Sequence, residues 1–198
     1  MIKRDTLQCG VIQPVRSFAA REGRMTDGQR HTLETMWSQF GLHLQAACLD
    51  LKQVFGREAP LVLEIGFGDG RSLFTMAQEN PQQDFIGIEV YRSGIAKLFA
   101  AIEKNKLSNV RVFCADAIEV LTHCIPDNSL HKLQLFFPDP WQKIRHHKRR
   151  IVQPAFVDLV TRKLQVDGIL HMATDWENYA GHMLQVTSLQ ENLVNVAG

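Results

Sequence analysis

Between positions 32 and 55 apolar residues recur at helical spacing, at Leu33, Met36, Trp37, Phe40, Leu44, Ala47, Leu51 and Val54, with one break at Gly41. One interrupted helix or two short ones fit that pattern. After Gly56 short apolar runs alternate with amphipathic stretches, the texture of strand and helix units that feed a parallel sheet. Strands are predicted over Leu61–Ile65, Asp84–Val90, Val110–Cys114, Lys132–Phe137 and Ile169–Thr174. Between them helices are predicted over Arg71–Glu79, stopped by Asn80-Pro81, over Arg92–Asn105 and over Ala117–His123. A further helix opens near Pro154, a good first-turn residue, and turns at Asp167-Gly168, and a last one follows from about Trp176. The expected fold class is α/β: an open, mostly parallel, twisted Rossmann-like sheet with helices on both faces.

Composition narrows the classes without choosing a function. The chain has 198 residues, 45% of them apolar and 22% charged, which suits one globular domain and excludes collagen, coiled coil and extended disorder. Residues 31 to 198 are expected to form that single domain. Residues 1 to 30 read as an irregular basic arm carrying Lys3, Arg4, Arg16, Arg21, Arg24 and Arg30. The net charge is only +1, so a polyanionic partner has to be argued from local clusters. Cys9, Cys48, Cys114 and Cys124 have neither knuckle spacing nor the density of a disulfide framework, and read as free buried thiols of a reducing compartment. With no apolar run of membrane length and no leader-like start, a soluble cytoplasmic protein is expected.

Ligands of open parallel sheets bind outside the carboxyl ends of the strands, and here those ends are acidic. The first predicted strand leads into Glu64-Ile65-Gly66-Phe67-Gly68-Asp69-Gly70, and the next four deliver Glu89, Asp116, Asp139 and Asp175. Gly66, Gly68 and Gly70 let a backbone turn pass close under a ligand. The spacing is G-x-G-x-G, with Arg71 where a dinucleotide fingerprint wants glycine. Glu89 follows Gly66 by roughly 20 residues, where an acid can hold a ribose diol. An acidic pocket repels a pyrophosphate and attracts the sulfonium and ammonium of S-adenosyl-L-methionine, which is the cofactor these residues favour. Any one of these acids is as readily a helix N-cap, and Asp69 reads as a plain cap or solvated loop residue.

Pro138-Asp139-Pro140-Trp141 closes a buried central strand and holds an acid between two prolines beside a flat aromatic, a setting that suits a nucleobase. Lys143-Ile144-Arg145-His146-His147-Lys148-Arg149-Arg150 follows at once, with five Lys or Arg in eight positions. Starting next to the cleft, it can hold a phosphate backbone while a base enters the pocket. The eight histidines show no metal spacing, no metal is expected, and His171 reads as a core residue. Trp37, Phe40 and Phe99 read as packing.

Taken together, Glu64 to Gly70, Pro138-Asp139-Pro140-Trp141 with Lys143 and Lys148-Arg149-Arg150, Thr174-Asp175-Trp176, and Arg21-Glu22-Gly23-Arg24 resemble the bacterial tRNA (guanine-N7-)-methyltransferases over about residues 15 to 190. The resemblance implies a Rossmann-like S-adenosylmethionine-dependent methyltransferase that forms 7-methylguanosine in the variable loop of tRNA. It implies that Glu64, Glu89, Asp116 and Asp139 line the cofactor site, with Glu89 on the ribose hydroxyls and Asp116 on the adenine side. Asp139 takes the catalytic position, Lys143 and Asp175 the substrate-contacting positions, and Arg145, His146, His147, Lys148, Arg149 and Arg150 the RNA segment. The family continues to a Thr-x-x-Glu motif, whereas this chain stops at Asn195-Val196-Ala197-Gly198, so the resemblance implies a C-terminally shortened domain without its last strands. An amino methyltransferase is the alternative, since Pro-Asp-Pro-Trp varies the Asp/Asn-Pro-Pro-aromatic loop that grips an exocyclic amine. A non-catalytic RNA-binding module that kept the fold is the other. Monomer and homodimer are equally compatible with the residues.

Overall fold

A computed structural model describes residues 25 to 196. The basic positions Lys3, Arg4, Arg16, Arg21 and Arg24 lie outside the described residues. The expected arm ends early, because helix α1 (Asp27–Phe40) begins at a Thr26 capping box closed by Gln29 and takes in Arg30. The break at Gly41 separates two helices. After α1 come strand β1 (Gly41–Leu42) and, farther on, helix α2 (Leu51–Phe55), capped by Asp50 and ended by Gly56 in the left-handed conformation. Gly41 is required by close approach: a Cβ there would stand 2.4 Å from the Trp37 ring.

The remaining elements are β2 (Leu61–Ile65), α3 (Arg71–Glu79), β3 (Asp84–Ile88), α4 (Arg92–Asn105), β4 (Val110–Phe113), α5 (Ala117–His123), β5 (Leu130–Phe136), a 3-10 helix (Ile144–Arg149), α6 (Pro154–Lys163), β6 (Leu164–Ala173) and α7 (Glu177–Thr187). All strand pairs are parallel, in the order β1-β4-β3-β2-β5-β6. The chain leaves β2 toward β3 and β4, then returns to lay β5 and β6 on the other side, so the order reverses between β2 and β5. That switch point is where such sheets open a crevice.

Each face has its own core. Val62, Phe85 and Val112 meet Leu33, Phe40, Leu73, Leu98 and Phe99 from α1, α3 and α4. Leu63, Leu133 and Leu135 meet Val120, Phe156, Val160 and Tyr179 from α5, α6 and α7. Trp37 and Phe40 pack on Phe99 as expected. His171 is a correction: it is exposed, edge-on to Phe136, not a core residue. β6 starts earlier than the sequence suggests. Its pairing jumps from Leu130↔Leu164 to Lys132↔Ile169, so the expected Asp167-Gly168 turn is a bulge within the strand, with Asp167 at φ 62°. The thiols also depart from expectation: Cys124 is buried, but Cys48 and Cys114 are exposed, and Cys9 lies outside the described residues. No helix among the described residues is long and apolar enough to cross a membrane.

Candidate active site

The loop after β2 is built from residues that only glycine replaces cheaply. Gly66 and Gly68 have φ of 73° and 61°, and a Cβ on either would meet nothing within 4 Å, so their open sides form a cradle free for a ligand. Gly70, the third glycine expected here, carries a packing constraint of its own. Its missing Cβ points at Leu98, 2.7 Å away, and its task is to seat α3 against α4. Gly94, unremarked in the sequence, is equally constrained: a Cβ there would stand 1.9 Å from the Gly68 carbonyl oxygen.

Glu89 ties this wedge together. Its Oε2 accepts from Gly68 N at 2.8 Å, and its Oε1 from Val90 N at 2.6 Å and Tyr91 N at 2.9 Å. A carboxylate offers about four lone-pair directions, so one remains for a hydroxyl donor. Asp116 Oδ1 caps α5 through Ile118 N at 2.8 Å, the helix N-cap role that any of these acids could take. Asp69 pairs with neighbouring Arg71 at 3.1 Å, as its plain reading predicts.

Glu64 is the chemically distinct acid. It is 3% exposed, and burial, followed by the negative charge of Glu89, pushes its pKa up to about 7. It stands opposite Gln134 in the β2–β5 register, and Glu64 Oε2 and Gln134 Oε1 are both buried without a hydrogen-bond partner. Two orphan acceptors side by side at the switch point call for a donor or a cation. Gln134 was not legible as a site residue, since in sequence it is one polar position inside an apolar strand. Helix α1, whose Trp37 is expected only as packing, also borders a cavity: Leu33, Glu34 and Trp37 join Arg92 and Cys114 around about 290 Å³ at the same edge of the sheet as Asp116.

Beyond β5 the chain turns sharply. Phe137 and Trp141, at φ 49° and 44°, bracket Pro138-Asp139-Pro140 with two left-handed aromatic residues, a strained arrangement that leaves Asp139 exposed. Phe137 N donates to Ala173 O at 2.8 Å, which brings this turn beside Thr174-Asp175-Trp176 at the end of β6. Asp175 is exposed there, as is Lys143 before the 3-10 helix.

With three residues per turn, the 3-10 helix sorts the basic run into rows. Arg145 and Lys148 face outward and are exposed. His146 and Arg149 lie on Trp141: the imidazole stands edge-on with ring centroids 6.1 Å apart, and the guanidinium carbon is 3.7 Å from the ring centroid. Partial burial and the charges of Arg145, Arg149, Lys143 and Lys148 lower the His146 pKa. One face of the Trp141 ring is therefore covered by a guanidinium. His147 and Arg150 form the inward row. Arg150 corrects the expectation of an RNA contact, being 2% exposed with its guanidinium turned into the protein. Among the described residues no group of three or more His, Cys, Asp or Glu side chains could hold a metal ion.

A protein family described as "Putative methyltransferase" matches residues 58–198. A protein from Alcanivorax borkumensis called tRNA (guanine-N(7)-)-methyltransferase is 58% identical over 188 residues, 95% of this chain and 79% of that one. One of the same name from Pseudoalteromonas atlantica is 52% identical over 98% of this chain and 82% of its own length. Among solved structures, a precorrin-6y C5,15-methyltransferase from Geobacter metallireducens superposes with a TM-score of 0.53 at 15% identity, covering 88% of this chain and 80% of that one. That last likeness speaks for the fold alone.

Proposed function

The chain belongs to the tRNA (guanine-N(7)-)-methyltransferase family, and from that premise we propose that it methylates N7 of a guanine in the variable loop of tRNA, using S-adenosylmethionine. The observation that carries the reading is the pair of orphan acceptors, Glu64 Oε2 and Gln134 Oε1, buried where the strand order reverses. They fit the cationic end of the methyl donor, Gly66 and Gly68 its backbone path, Glu89 its ribose hydroxyls and Asp116 its adenine side. When bound, the donor supplies an electrophilic methyl group.

The work left to the protein is positioning. Guanine N7 carries a lone pair and no proton at neutral pH, so no general base is needed at the attacking atom. Holding the base in line with the methyl group contributes several kcal/mol through orientation alone, on the order of those of intramolecular reactions. Positive charge develops on the purine as the bond forms, and Asp139, accepting from a guanine edge, offsets it with a fixed carboxylate. Lys143 and Asp175 flank the same guanosine from the neighbouring loop ends. Lys143, Arg145 and Lys148 meet the phosphates, while Arg149 fastens the 3-10 helix to Trp141.

The experiment is incubation of unmodified tRNA with labelled donor, followed by nuclease digestion and mass spectrometry. Label in 7-methylguanosine is expected. Label on an exocyclic amine replaces this reading with the amino methyltransferase, and donor binding without any transfer replaces it with an RNA-binding module.

A further inference from the structure

Arg150 is a buried cation with an unusual set of partners. Its Nε donates to Pro140 O at 2.9 Å, and its Nη2 donates to Asn178 Oδ1 at 2.7 Å and lies 3.1 Å from His147 Nε2. The guanidinium carbon stands 4.7 Å from the centroid of the Tyr179 ring. Among the described residues no carboxylate lies within ion-pair distance of it. Burying a guanidinium without an acid is costly, and a fold that needed only packing here would use an apolar side chain. What the fork achieves is geometric. One planar group joins the carbonyl of the residue after Asp139, the inward row of the 3-10 helix and the first turn of α7, which directly follows Asp175 and Trp176.

We propose that Arg150 is a positioning residue that locks the Asp139 turn to the RNA-facing 3-10 helix and to α7, so that tRNA seated on the exposed cations sets the carboxylate. This rests on the reading above that Asp139 serves the transferred methyl group and that the 3-10 helix meets RNA. The strain in the turn gives the lock something to oppose: Phe137 and Trp141 both hold left-handed backbones, and Pro140 sits between Asp139 and Trp141 with its carbonyl on Arg150. Tyr179 connects the two charges, since its buried hydroxyl feels Arg150 and Asp139 with opposite sign.

The test compares Arg150→Lys, which keeps the charge and loses the fork, with Asn178→Ala, which removes one acceptor from an exposed residue, and with Lys148→Ala. Each full chain is assayed for kcat and KM with tRNA, for the salt dependence of tRNA binding, and for hydrogen exchange over residues 137–143. Arg150→Lys is expected to lower kcat at least tenfold, leave KM within twofold and the salt slope unchanged, and speed exchange in the turn but not in β2 or β3. Asn178→Ala moves the same quantities less, and remains the test if Arg150→Lys fails to fold. Lys148→Ala instead raises KM and flattens the salt slope by about one. If Arg150→Lys behaves like Lys148→Ala, Arg150 is a phosphate ligand and the proposal is overturned; unchanged kcat and exchange overturn it as well. Asp139→Asn run alongside separates the two claims. Full turnover there removes the carboxylate from the mechanism, while exchange in the turn still decides whether Arg150 holds it.

Discussion

Two buried carboxylates stand at opposite ends of the central sheet and are treated in opposite ways. At the amino end Asp84, 2% exposed, is gripped by Arg57 through Nη2 at 2.6 Å and Nε at 3.0 Å, and the same guanidinium reaches Pro81 O and Gln83 O. At the carboxyl end Glu64 is as deeply buried, has no cation beside it among the described residues, and titrates near 7. A sheet selected for stability alone would pair both. The difference separates an acid neutralised within the fold from one left without a partner, the acid proposed above to meet the methyl donor.

The sharpest way to break this contrast is to remove the acids at the carboxyl end and, at the amino end, the cation that pairs Asp84. Asp139→Asn is expected to lower methyl incorporation by roughly a hundredfold or more with the melting temperature unchanged, as loss of one charge-stabilising group does. Near-normal turnover would dismiss Asp139. Glu64→Gln is expected to act through pH. With a folded pKa of about 7 against 4.5 unfolded, the proton is held more tightly in the native state, so stability falls as pH rises from 4.5 to 7 and then levels. The full penalty is about 3 kcal/mol, and urea titrations of wild type and Glu64→Gln at pH 5 and pH 8 should show it as a difference that grows with pH. A cationic donor reverses the preference. Its binding should release a proton below pH 7, seen by calorimetry in buffers of different ionisation enthalpy.

At the amino end the expected effects are on stability. Arg57→Ala leaves Asp84 buried and unpaired and should cost about 2 kcal/mol, less than a fully buried pair because the arginine is 41% exposed, with turnover per folded molecule retained. Loss of turnover at permissive temperature would blur the distinction between the ends. The smallest effect concerns RNA. Lys143, Arg145 and Lys148 changed together to Ala should flatten the salt dependence of tRNA binding by about two to three, whereas Lys52 and Lys104, beside the other end, should leave it unchanged. Equal slopes in both variants would make the 3-10 helix an ordinary solvated face with no part in RNA binding.

Apart from the 3-10 helix, the helices and strands from Leu61 to Thr187 were readable because each is long enough to show a period. Two-residue β1 is too short to show one, and the bulge in β6 hides behind Asp167-Gly168, which reads as a turn from either structure. In the site, the acids at strand ends were legible because topology fixes where a strand end goes. Direction was not. Arg150 and Lys148 look alike in a basic run, and only a three-residue turn sends one inward and the other out. Gln134 and Gly94 act through what lies across from them, Glu64 and the Gly68 carbonyl, and no local pattern records that.

The contact between Gly94 and Gly68 reaches beyond this chain. Because the first turn of α4 leaves no room even for a methyl group, the helix and the cradle meet backbone to backbone, with Gly68 N also bonded to the Glu89 carboxylate. A homologue that keeps the G-x-G-x-G string but carries alanine at position 94 must hold its loop elsewhere. Position 94 is therefore as strict a requirement of this loop conformation as the glycine string itself.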